Sequence, residues 1–72
     1  VDQKEQIIRL FLQINDLKTQ VAEHWAMADR AIKESRVDHA ITLLNAYFRL
    51  KTKIGIVEGN LQGILNGYYA SQ

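Results

Sequence analysis

The sequence predicts an all-α chain folded as an antiparallel, coiled-coil-like two-helix hairpin, completed by oligomerisation or by helices outside it. Three observations predict this. There is no proline among 72 residues that are 47% hydrophobic, so nothing in the chain forces a helix to stop. Apolar or small residues recur in alternating steps of three and four through two long stretches, the spacing of a coiled-coil seam. Between the stretches lies one short polar break, Glu34-Ser35-Arg36. The whole chain therefore reads as one domain, with a helix over about 2–34, a turn over about 34–36 and a helix over about 36–69.

The first helix opens at Asp2, with Glu5 three residues later. This is a capping-box-like start, in which the aspartate satisfies free backbone N–H groups. Its seam runs through Ile7, Leu10, Ile14, Leu17, Val21, His24, Ala28 and Ala31, with His24 as the single interruption. At the break, Ser35 is the expected cap of the second helix, and Asp38 favours that helix's positive end. The second seam continues without a fault through Ala40, Leu43, Tyr47, Leu50, Ile54, Val57, Leu61, Ile64 and Tyr68.

A turn centred between Ser35 and Arg36 sets the register. Ile7 then faces Ile64, Leu10 faces Leu61, Ile14 faces Val57 and Leu17 faces Ile54. Val21 faces Leu50, His24 faces Tyr47, Ala28 faces Leu43 and Ala31 faces Ala40. Every seam residue meets a seam residue, and each arm is about 50 Å long at 1.5 Å per residue. The hairpin does not use all its apolar side chains. Ile8, Phe11, Leu12, Trp25 and Ile32 lie off the first seam; Ile41, Leu44, Phe48, Ile56, Leu65 and Tyr69 lie off the second. That much apolar surface marks an interaction face.

Gly55, Gly59, Gly63 and Gly67 are spaced four apart along the second helix. Each glycine inside a helix costs up to about 1 kcal/mol relative to alanine. One reading is close backbone approach by a further helix, which makes these glycines, with Phe48 and Trp25, the expected assembly interface. The other is that they fray the distal half of the helix. A membrane-spanning glycine zipper is not expected, because Glu58, Asn60, Gln62 and Asn66 interrupt the stripe.

Catalytic, cofactor-binding and metal-ligating residues are not expected, and the chain does not read as an enzyme. His24 and His39 are 15 positions apart, whereas a helical metal pair needs four. His24 reads as a hydrogen-bonded seam residue and His39 as exposed. With no cysteine, and with Ser35 and Ser71 at a turn and a terminus, no nucleophile–base pair presents itself. The glycines follow no strand and open no phosphate-binding turn. The formal charge of +1 and the single cluster Arg49, Lys51, Lys53 fall short of a basic stripe, so nucleic acid is not an expected partner. No apolar run approaches the roughly 18 residues of a spanning helix. The start at Val1 rather than methionine suggests an excised fragment or a processed product.

Two segments carry a family resemblance. Glu34-Ser35-Arg36-Val37-Asp38-His39-Ala40-Ile41-Thr42-Leu43-Leu44 is a polar turn followed by a charged residue, an alanine and paired leucine-like residues. Val57-Glu58-Gly59-Asn60-Leu61-Gln62-Gly63-Ile64 carries an acidic-Gly-x-Leu element. Together they resemble the core hairpin of ESCRT-III subunits, the charged multivesicular body proteins. The ending Ile64-Leu65 and Tyr69-Ala70-Ser71-Gln72 is similar to the branch acting at the nuclear envelope. The resemblance implies polymerisation by self-association and with related helical subunits, in membrane remodelling, scission and protein transport. It implies a cytoplasmic location at the periphery of endosomal or nuclear-envelope membranes. ESCRT-III hairpins are strongly basic and this one is nearly neutral, which makes membrane contact indirect or the work of segments not present. The alternative is a small homodimeric four-helix bundle, a regulator or adaptor, with RNA binding resting on Arg49, Lys51 and Lys53 alone.

Overall fold

The computed structural model describes residues 2–71. Val1, and Gln72 in the Tyr69–Gln72 ending, lie outside the described residues. Two helices, α1 (Gln3–Lys33) and α2 (Val37–Ala70), pack against each other as an antiparallel hairpin with principal extents of 55 × 15 × 14 Å.

Asp2 is the N-cap of α1. It sits in an extended conformation, and its carboxylate accepts a hydrogen bond from the Lys4 N–H at 3.3 Å. Along both helices, Thr19, Thr42 and Thr52 each donate their hydroxyl to the carbonyl four residues back. Those bonds satisfy polar β-branched side chains that otherwise favour extended backbone. Ion pairs Arg9–Glu5 and Lys33–Asp29 span one helical turn at 2.9 Å each. They are solvent-exposed and contribute only tenths of a kcal/mol.

The turn corrects one expectation. Ser35 does not cap α2; it ends α1. Its φ of 62° places it in the left-handed region. Its N–H donates to the Ile32 carbonyl at 3.0 Å, and the Arg36 N–H donates to the Ala31 carbonyl at 2.8 Å. This is the paired-bond helix termination that most chains build on glycine. Arg36 is the N-cap of α2, with no side-chain hydrogen bond to the helix. A serine hydroxyl needs extended backbone to cap a following helix, and the reversal at Ser35 denies it that geometry. Only Asp38 remains to favour the helix start.

Small residues explain why three connecting residues suffice. Ala28, Ala31 and Ala40 pack with Leu43 next to the turn, and Ala40 is fully buried. Methyl side chains fill little space between the helices there. Farther along, Ile14, Leu17, Ile54 and Val57 form a second cluster, flanked by half-buried Leu10, Val21, Leu50 and Leu61. Toward the open end, Ile7, Ile64 and Tyr68 are only half-buried. The seam is thus a core one side chain thick. Among the described residues, no side chain larger than alanine is completely enclosed.

His24 is half-buried on the seam, and its Nδ1–H donates to the Gln20 carbonyl of its own helix at 2.8 Å. Trp25 packs on Tyr47, with ring centroids 5.1 Å apart and planes tilted by 47°. His24 is thus a hydrogen-bonded seam residue, its bond made within α1, with the Trp25–Tyr47 contact beside it.

Candidate functional site

The hairpin has two flanks of opposite character. On α1, the residues directly after Leu10, Leu17, His24 and Ala31 are Phe11, Lys18, Trp25 and Ile32. On α2, those directly after Leu43, Leu50, Val57 and Ile64 are Leu44, Lys51, Glu58 and Leu65. Seven-residue spacing keeps each row on one side of its helix. Antiparallel pairing brings the two rows together on one flank. Lys18 Nζ reaches Glu58 Oε2 at 3.8 Å, the one ion pair between the helices among the described residues.

Three open grooves lie along this flank. One, of about 160 Å³, is lined by Trp25, Ala28, Asp29, Ile32 and Leu44. A second, of about 310 Å³, runs between Lys18, Lys51, Gly55 and Glu58 over Val21 and Ile54. The third, of about 320 Å³, is lined by Phe11, Ile14, Leu61 and Leu65, with Lys18, Glu58 and Gln62 at its rim. Between the first two sits an aromatic cluster. Trp25 packs on Tyr47, Tyr47 meets Phe48 edge-on at 5.1 Å, and Lys51 Nζ lies 5.3 Å from the Tyr47 ring centroid. The cation–π contact holds Lys51 against the flank.

Most large exposed apolar side chains belong to this side. Trp25 is 55% exposed and Phe48 59%, and Ile8, Phe11, Ile32 and Ile41 are comparably open. Leu12, Met27 and Ile56 lie elsewhere. The opposite flank carries Gln6, Gln13, Gln20 and the exposed Met27 on α1 and His39, Ala46, Lys53 and Asn60 on α2. Its composition suits water, whereas that of the first flank suits a partner.

Of the residues expected to form an assembly surface, Trp25, Phe48 and Gly55 fall together on the apolar flank. Gly59, Gly63 and Gly67 do not. Residues four apart drift by about 40° per step on a helix of 3.6 residues per turn, so the stripe winds from the flank around the back of α2. A side chain built on any of the four glycines meets nothing within 4 Å, and α2 stays helical past all of them to Ala70. Sequence reasoning picked out Phe11, Ile32, Leu44 and Leu65 as surplus but did not join them into one surface. Their seven-residue spacing beside the seam was the available signal.

No group of three or more His, Cys, Asp or Glu among the described residues is placed to hold a metal ion. No helix among them is long and apolar enough to cross a membrane. No protein-family model, curated protein or solved structure matches the chain.

Proposed function

We propose that this chain is a non-catalytic helical assembly module, which acts by packing its exposed apolar side chains against further helices. The observation that carries the reading is the concentration of Phe11, Trp25, Ile32, Ile41 and Phe48 on one flank of a hairpin whose own core is one side chain thick. A two-helix unit with so small a core is marginal by itself. Covering the flank removes apolar surface from water and thickens the core in one step.

Assembly takes one of two forms. A closed four-helix bundle needs a single self-complementary surface, and the one-sided flank favours it. A polymer resembling ESCRT-III filaments needs a second surface as well. The outward glycines Gly59, Gly63 and Gly67, open on the back of α2, supply a surface that another helix approaches closely. In that form the module polymerises in membrane remodelling and scission, at the cytoplasmic periphery of endosomal or nuclear-envelope membranes. Light scattering on the chain over a wide concentration range tests the reading. A closed dimer supports the bundle and open-ended growth supports the filament. A mass that stays at that of the 8.3 kDa chain throughout refutes self-assembly.

A further inference from the structure

The flank is long enough to be a complete interface, and its charges specify what covers it. A face of 55 by 15 Å presents on the order of 800 Å², the area that each partner contributes to a stable interface of standard size. Three charged residues stand in the middle of that face: Lys18, Lys51 and Glu58. Apolar rows flank them, Phe11 with Leu65 toward the open end and Ile32 with Leu44 toward the turn.

We infer that the partner covering this flank is a second copy of the same chain, stacked face to face about a two-fold axis, with Glu58 shared between lysines of both copies. This rests on the assembly reading above and adds which surface assembles and with what. Two two-fold stackings bring the apolar rows into contact. With both turns at the same end, α1 lies over α2 of the second copy, and Glu58 receives the partner's Lys18. With the turns at opposite ends, each helix lies over its own counterpart and the Phe11 row meets the Ile32 row. Glu58 then receives the partner's Lys51. Either way one carboxylate gains a second ammonium while apolar side chains meet apolar side chains. The apolar rows are complementary to themselves, as a closed dimer requires, and the stacked centre sets two glutamates among four lysines. The lysine stems lie along apolar surface and their heads reach the rim. A charged row across an apolar face also disfavours slipped pairings, which would leave it against apolar side chains.

Charge complementation between two variants of the full 72-residue chain tests this. Glu58→Lys makes the central row all basic. Lys18→Glu combined with Lys51→Glu makes it all acidic. All three positions are partly exposed in the hairpin, so circular dichroism should report native helicity for both proteins. By sedimentation equilibrium the wild-type chain should be a dimer, and each variant alone should dissociate at least tenfold more readily. An equimolar mixture of the two should restore a dimer containing one of each, which native mass spectrometry identifies. Both variants must hold native helicity, and salt of about 0.15 M screens attraction between their opposite net charges, so a mixed dimer then reports the flank. Variants that dimerise as wild type does, or a mixture that shows no preference for the mixed species, would overturn the flank assignment. If Gly59→Leu with Gly63→Leu then abolished assembly, the module reading would survive on the glycine face. A wild-type chain that stays monomeric would overturn both.

Discussion

Leu17→Ala is the sharpest probe of the seam. Leu17 is 5% exposed and packs in one cluster with Ile14, Ile54 and Val57. Truncation to alanine removes three carbon groups from that contact, about 2.4 kcal/mol at roughly 0.8 kcal/mol per buried methylene. A deep core adds a further term for the cavity left behind. Here the grooves over Ile14, Val21 and Ile54 open directly to solvent, so collapse and hydration limit that term. The expected loss is therefore about 2–3 kcal/mol, the lower part of the range seen for such truncations. A single thin core in a chain of this size supplies at most about 3–5 kcal/mol, so the loss is a large share of the whole and the Tm should fall by about 10–20 °C. Thermal unfolding followed by circular dichroism measures it, at fixed protein concentration because association raises the apparent stability. Lys4→Ala, at an exposed site, is the control and should stay within about 0.5 kcal/mol. A Leu17→Ala variant as stable as the Lys4→Ala control would show that the seam does not hold the helices together. A double-mutant cycle with Ile54→Ala should give a coupling of about 0.5 kcal/mol or more, as for side chains in direct contact.

Ser35→Gly should stabilise the hairpin by about 0.5–1 kcal/mol in urea unfolding, because it relieves a left-handed backbone that an L-residue adopts at a cost of about 1 kcal/mol. Ser35→Val at the same site should lower stability, and the opposite order would contradict the turn geometry. Asp2→Ala should cost about 0.5–1 kcal/mol by loss of the N-cap bond to Lys4, read as reduced helicity on heating. Gly59→Ala and Gly63→Ala should each raise stability by up to about 1 kcal/mol, since the added methyl meets nothing within 4 Å. A loss of assembly in sedimentation on either alanine change would instead identify the stripe as a close contact.

The sequence by itself determined what is local and periodic. Alternating three–four spacing defined both helices, because a helix turns by a fixed angle per residue and a continuous apolar stripe is stable only when buried. Asp2 was legible as a cap because capping depends on atoms two or three residues away. The seam clusters of Ile14, Leu17, Ile54 and Val57, and of Ala28, Ala31, Ala40 and Leu43, lie along the stripes that this spacing draws. Tertiary structure decided the rest. Ser35 became the end of α1 rather than the start of α2 because the chain reverses through its positive φ, and hydroxyl chemistry alone does not say on which side of a reversal a serine falls. Which acceptor His24 would take, the Gln20 carbonyl of its own helix, and the packing of Trp25 on Tyr47 emerged only in the folded hairpin. The apolar flank is the largest of these decisions. Phe11 and Leu65 are 54 residues apart and Ile32 and Leu44 are 12 apart across the turn, and each row alone is one position in every seven of its helix. Only antiparallel packing at this rotation sets both rows on one side, with Lys18 against Glu58, and leaves the glutamines on the other.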